Sequence, residues 1–186
     1  VQECLDAVDE CGAPVVSIPG GEPLIHKDIV QIVEGIVARK KFVYLCTNGL
    51  LLEKRLHKFS PSPYLTFSVH LDGLKEHHDL AVNQEGTFEI ATRAIRKAKE
   101  MGFRVNVACT LFDQMSSEEA ASFFDFCTND LKVEGITVSP GYAYERAPDQ
   151  EHFLSRRKTK QLFRDIFSKS GSRSWKFGQS TLFLDF

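Results

Sequence analysis

Val15-Val16-Ser17-Ile18-Pro19-Gly20-Gly21-Glu22-Pro23-Leu24 reads as a short apolar strand that breaks at two glycines and ends in a carboxylate set before a proline. Glycine has no Cβ, so the backbone there can bend sharply and approach a ligand closely. Pro23 steers Glu22 away from the helical region and leaves its carboxylate on an extended corner. Such a corner, at the carboxyl end of a strand, can hold a cationic or amino-bearing ligand. Taken alone, Gly20–Pro23 is equally an ordinary strand-to-helix turn. The helix beyond it is marked by Ile29, Ile32, Val33, Ile36 and Val37, the i, i+3, i+4, i+7, i+8 spacing of a core-facing stripe.

The same alternation continues along the chain. Apolar strands are predicted at about 14–19, 42–46, 64–71, 103–110, 134–139 and 181–186. Ala91, Ala94, Ile95 and Ala98 repeat the helical spacing, and Gly102 stands where a helix would close. Ser116 with Glu119 forms a capping-box signature, and Leu162, Phe163, Ile166 and Phe167 give the last helix a narrow apolar face. Six strands separated by helices predict a parallel α/β sheet, because parallel neighbours need crossover connections. A βα barrel and a doubly wound sheet both satisfy this, and both bind ligands at the carboxyl ends of their strands. The continuous apolar runs predict strands buried on both faces. Residues 140–152 form the longest irregular segment, of the kind that serves as a binding loop.

Composition narrows the function classes. The chain has 186 residues, 42% of them hydrophobic, and a formal net charge of −2, which gives no global attraction to nucleic acid. The basic runs Arg39–Lys41 and Arg156–Lys160 read as solvated helix ends. No apolar run approaches the roughly 20 residues needed to span a bilayer, so a cytoplasmic location is expected. Cys4, Cys11, Cys46, Cys109 and Cys127 are scattered, without the spacing of a zinc site or a disulfide framework. Burial as inert thiols is expected for all but Cys46. Both ends read as cut: Val1 falls inside a helix and the last strand stops without a turn. One truncated domain over residues 1–186 is the expected organisation.

Polar residues gather where the strands end. Glu22 follows the first strand, Cys46-Thr47-Asn48-Gly49 the second, and His70-Leu71-Asp72-Gly73 the third; Asn106 and Thr110 share one parity of the fourth. Each is singly explained by folding: a core histidine, an Asp-Gly turn, an Asn-Gly turn. One polar group per strand end is harder to explain that way.

In this order, Gly20–Pro23, Thr47–Gly49 and His70–Gly73, followed by Asp79 and Gly86-Thr87-Phe88, resemble the motifs of radical S-adenosylmethionine (SAM) enzymes. The resemblance covers essentially the whole chain. It implies an α/β partial (β/α)6 TIM-like barrel whose first strand and cluster loop lie before Val1. It also implies a [4Fe–4S] cluster on three cysteines that cleaves SAM reductively to a 5′-deoxyadenosyl radical. Gly20, Gly21, Glu22 and Pro23 would hold the methionyl amino group and Asp72 would approach the ribose. Asn48, His70 and Asn106 complete the expected cofactor-binding set. His70 departs from the commoner serine. The C-x-x-x-C-x-x-C cluster motif is absent, so no residue here is expected to ligate metal, and the fragment alone is expected to be inactive.

Ala13-Pro14, Ala38–Asn48, Pro61–Tyr64 and Val69–Gly73 are similar, more closely, to the adenosylhopane synthase family of hopanoid biosynthesis. That likeness implies addition of the radical to the C=C of hopene, a triterpene lipid, and Cys46 as a catalytic thiol that donates hydrogen to the resulting alkyl radical. It implies an electron donor (a reductase, flavodoxin or ferredoxin), transient contact with the inner membrane surface through the basic runs, and an apolar pocket that some of the fifteen phenylalanines could wall. Tyr142, Tyr144 and Glu145 are candidate substrate-side residues. The alternatives are a hydrogen-abstracting relative acting on a peptide or small metabolite, and a cofactor-free barrel serving as a binding module.

Overall fold

The structure, a computed structural model, describes residues 1–142 and 152–178. Its elements run α1 (Gln2–Cys11), β1 (Val15–Ile18), α2 (Ile29–Ala38), β2 (Phe42–Thr47), α3 (Leu52–Arg55), β3 (Leu65–His70), α4 (Lys75–Ala81), α5 (Thr87–Glu100), β4 (Arg104–Leu111), α6 (Ser117–Asp125), β5 (Gly135–Pro140) and α7 (Arg156–Ser168). The strands form one sheet in the order β1-β2-β3-β4-β5, with β1, β2 and β3 paired in parallel. A doubly wound sheet reverses its strand order at a switch point. The unbroken sequential order instead selects the partial βα barrel. The predicted strand at 181–186 lies outside the described residues. Phe177 already makes a parallel bridge to Ile136, where Ile136 N–H donates to Lys176 O at 2.7 Å and Gly178 N–H to Ile136 O at 2.8 Å.

The chain forms two compact units, each drawn from two stretches: Val1–His70 with Glu89–Asn106, and Leu71–Phe88 with Val107–Phe186. In the first, the register aligns Ser17, Tyr44 and Thr66 and sets Cys46 beside Ser68. With the two-residue period of a strand, these residues and His70 share one face. The opposite face carries Val43, Leu45, Leu65, Phe67 and Val69, all buried. Phe67 meets Phe59 and Phe103 edge-on, with ring centroids 5.5 and 5.3 Å apart, a geometry worth about 0.5–1.5 kcal/mol per pair beyond area burial. Burial on both faces, expected from the apolar runs, therefore fails for β1 and β2. On this face Val15, Ser17 and Phe42 are exposed and Cys46 is half-buried.

Helix α2 buries Ile29, Val33 and Ile36, while Ile32 and Val37 are half-buried at the edge of the stripe. A Cβ on Gly35 would stand 2.6 Å from Leu5 Cδ1, so glycine lets α1 lie close to α2. Leu5 is the buried residue of α1; Cys4 and Cys11 are exposed, against the burial expected of them, because they lie on its outer side. Arg39 pairs with Asp9 at 2.9 Å and Lys41 Nζ donates to Ala13 O at 2.8 Å, which ties the first basic run to the end of α1. Ala91, Ala94, Ile95 and Ala98 of α5 are fully buried, and Gly102 N–H turns back on Lys99 O.

In the second unit, Ser116 caps α6: its Oγ accepts Glu119 N–H, and the Glu119 carboxylate accepts Ser116 N–H at 2.8 Å. Phe124 of α6 packs edge-on against Trp175 and Phe177, and Trp175 Nε1–H donates to Asp125 at 2.8 Å. Phe163 and Ile166 of α7 are buried, with Leu162 and Phe167 half-buried beside them.

Candidate functional site

Glu22 sits in extended backbone (φ −138°, ψ 100°) with Pro23 opening a short 3-10 turn. Its carboxylate is held by three donors. Leu24 N–H reaches Oε1 at 3.0 Å, Asn48 N–H reaches Oε2 at 2.9 Å, and the Thr47 hydroxyl lies 3.0 and 2.9 Å from the two oxygens. Thr47 is buried and in turn accepts Gly49 N–H at 3.1 Å. The strand-end motifs at 20–23 and 47–49 thus join in one hydrogen-bonded clasp. Asn48 contributes its backbone to it; its side chain accepts Leu50 N–H at 3.0 Å. Gly49 is required here, since its φ is +82° and a Cβ would stand 2.9 Å from that of Ala91. Gly20 (φ +127°) and Gly21 are exposed, with no atom within 4 Å of where a Cβ would be. An ionised carboxylate offers about four lone-pair sites, so the clasp orients Glu22 and leaves capacity for an external cation beside an open glycine corner.

Cys46 lies on the polar face of the same unit, half-buried, with its Sγ 3.7 Å from Ser17 Oγ. His70 ends β3 on that face, also half-buried. Cys109 and Cys127 are buried, and burial pushes both thiols up from their ordinary range. They stay protonated, whereas Cys46 is the half-accessible one. Asn106 is buried in β4, on the parity it shares with the half-buried Ala108 and Thr110.

In the second unit, Asp72 is only 4% exposed. Its Oδ1 accepts Thr110 N–H at 2.8 Å, and its own N–H donates to Nδ1 of the buried His78 at 3.2 Å. The Asp72 amide thus uses Nδ1 of His78 as its acceptor. Asp72 borders a cavity of about 270 Å³ whose other walls include Leu80, Phe112, Met115 and Phe153. Asp79 works differently. Its carboxylate accepts Gly86 N–H, Thr87 Oγ–H and Phe88 N–H, each at 2.8 Å, at the start of α5. The Phe88 amide foremost holds its carboxyl below the ordinary range. Asp79 and Gly86–Phe88 therefore build a helix start.

The sequence alone does not mark Thr47, Ser17 and His78 as site residues. Thr47 stood within a recognised motif and its hydroxyl was the available signal; the roles of Ser17 and His78 arise from strand register and from folding of α4, which a linear pattern does not display. Tyr142 is exposed. Tyr144 and Glu145 lie outside the described residues.

The carboxylate clasp stands at the strand ends of a sequentially ordered parallel sheet, and comparison with known proteins identifies the class of this fold. The family model of the radical SAM superfamily matches residues 1–127. This chain belongs to the radical SAM superfamily. A second model, a domain of unknown function (DUF3463), matches residues 136–186. Among curated proteins, a GTP 3′,8-cyclase of Clostridium perfringens is 25% identical over 174 residues, which is 89% of this chain and 54% of that protein. An Fe-coproporphyrin III synthase of Methanosarcina barkeri is 28% identical over 64% of this chain and 30% of its own length. The chain thus spans about half the length, or less, of these relatives. SuiB of Streptococcus suis, solved with S-adenosylmethionine, superimposes with a TM-score of 0.76 at 20% identity, over 98% of this chain and 42% of its own. The enzyme anSMEcpe, solved with AdoMet and a peptide, gives 0.62 at 20% identity, over 83% and 45%. The partial TIM-like α/β barrel is shared with both. None of these relatives is named for hopanoid chemistry, so the finer resemblance to adenosylhopane synthase gains no support from them.

The superfamily's cofactors are SAM and a [4Fe–4S] cluster. The residues of the first unit fit the amino-acid end of SAM: an oriented carboxylate stands at a glycine corner open to solvent. Among the described residues no group of three His, Cys, Asp or Glu could hold a metal ion. No described helix is long and apolar enough to cross a membrane.

Proposed function

We propose that this chain is the catalytic core of a radical SAM enzyme that binds the methionyl ammonium of SAM at the Gly20–Pro23 corner. The observation that supports this is the Glu22 carboxylate, oriented by Leu24, Thr47 and Asn48 beside two exposed glycines. SAM, when bound and reductively cleaved, supplies a 5′-deoxyadenosyl radical. The residues of the chain bind and orient: Glu22 takes the cation, Thr47 and the Asn48 amide fix its two oxygens, and Asp72 is a ribose-side acceptor held by Thr110.

Two finer readings concern the substrate. The relatives favour hydrogen abstraction from a peptide or small metabolite, since one is a GTP 3′,8-cyclase and another was solved with a bound peptide. Two features of this chain favour addition to the C=C of hopene: the largely apolar walls of the cavity beside Asp72, and the half-accessible Cys46 thiol. In the second reading the adduct is a carbon radical. Cys46 gives it a hydrogen atom, breaking S–H and forming C–H, and the sulfur radical regains one electron and one proton through a reductase, flavodoxin or ferredoxin.

The test uses the full-length protein carrying this chain, reconstituted with iron and sulfide without oxygen. It is mixed with reductant, SAM and either hopene or a peptide, and the products are read by mass spectrometry. An adenosine–hopane adduct selects the second reading. Free 5′-deoxyadenosine with an altered peptide or metabolite selects the first. No SAM cleavage by cluster-loaded protein overturns both and leaves a binding module.

A further inference from the structure

Residues 156–178 carry eight Lys or Arg against one acid, Asp165, in a chain whose net charge is −2. Three of these cations are used within the second unit. Lys158 pairs with Asp113 at 2.6 Å, Lys169 with Glu118 at 2.7 Å and Arg173 with Asp125 at 3.3 Å. Arg156, Arg157, Lys160 and Arg164 are exposed, make no ion pair among the described residues, and line one shallow groove with Gln161. Arg156, Lys160 and Arg164 follow at i, i+4 and i+8, with Arg157 beside them, so the stripe runs about 12 Å along the helix. Like charges at this spacing destabilise the helix that carries them. Their concentration on one exposed line points to an anionic surface outside the molecule.

Two observations select the kind of surface. The apolar face of α7, formed by Thr159, Phe163 and Ile166, is already buried, so the helix cannot insert and its contact must be electrostatic. Phe153, three residues before Arg156, walls the same apolar cavity as the exposed Leu80, so an apolar mouth adjoins the stripe along the chain. Headgroup phosphates above an acyl layer match a basic stripe next to an apolar mouth. Single-stranded nucleic acid would also seek aromatic platforms, and the described stripe has none.

We propose that Arg156, Arg157, Lys160 and Arg164 dock the second unit on the surface of an anionic phospholipid bilayer. The purpose of this contact rests on the apolar-substrate reading above, since a hydrocarbon dissolved in a bilayer must be collected there. Its test needs neither substrate nor cofactor, so the two can fail separately.

The experiment is sedimentation of the protein with phosphatidylcholine vesicles, with and without phosphatidylglycerol. Binding is expected only with phosphatidylglycerol, and is expected to disappear in high salt. At about fivefold per cation, Arg157→Gln with Lys160→Gln should weaken partitioning roughly 30-fold while circular dichroism stays unchanged. Lys27→Gln with Lys54→Gln, exposed cations of the first unit, should leave it near wild type. The proposal is overturned by no binding to anionic vesicles, by equal binding to neutral ones, or by equal losses in the two double variants. Binding to oligonucleotides or acidic proteins in place of vesicles overturns it as well.

Discussion

A carboxylate that binds a cation must be aimed before the cation arrives, and Glu22 is aimed by three donors from two strand ends. Hydrogen bonds to charged groups contribute about 1.5–3 kcal/mol. Glu22→Gln keeps the shape and removes the charge, so SAM affinity measured by titration calorimetry should fall by about tenfold or more. An unchanged affinity would take Glu22 out of the binding site. Thr47→Val, isosteric but without the hydroxyl, should produce a smaller loss in the same measurement. For Cys46→Ala the expectation is a split: SAM cleavage persists while the saturated hopanoid adduct nearly vanishes. Full adduct from that variant would sink the donor role.

Among the elements, the helix starts carry the local information. Ser116→Ala removes the hydroxyl half of the α6 box, leaving the Ser116 backbone N–H on Glu119, and should cost about 1 kcal/mol in urea unfolding, without a change of slope. At α5 the cap comes from Asp79, eight residues before Thr87, so its sequence signal is less local. In the sheet, Phe67 is fully buried between Phe59 and Phe103. Phe67→Ala should cost about 3–5 kcal/mol, far more than loss of the cap. Equal costs for the two would mean that the first unit repacks around the cavity.

At the scale of the whole molecule, acid should act mainly through carboxylates of the second unit. The Lys169 ammonium, with Ser117, holds the Glu118 carboxyl down from 4.5 to about 2. The Ser116 hydroxyl and amide lower Glu119, and the Phe88, Thr87 and Gly86 donors lower Asp79. A carboxyl lowered in the folded state stabilises fully above its unfolded value and loses that contribution as pH falls through the folded one. Melting temperature should therefore decline from about pH 4.5 towards pH 2, where Glu118 titrates. Lys169→Met should shallow the decline; an unaltered profile would show that the Lys169–Glu118 pair contributes nothing in solution, as exposed pairs often do not.

The residues themselves determined the first five strands, the capping of α6, the stripe of α2 and the strand-end motifs, because each is a matter of local spacing and backbone preference. Glu22 was legible as a carboxylate on an extended corner for the same reason: Pro23 acts on its immediate neighbour. Tertiary structure alone decided what that carboxylate meets. Thr47 is 25 residues away, and the hydrogen bond exists because two parallel strands end side by side. Register likewise decided that Ser17 faces Cys46, and folding decided that His78 receives the Asp72 amide. The exposure of Cys4 and Cys11 was settled by which side of α1 turned outward. A sequence states which groups are available and what their neighbours along the chain do; which distant groups meet is fixed only when strand order and register bring them within hydrogen-bond reach.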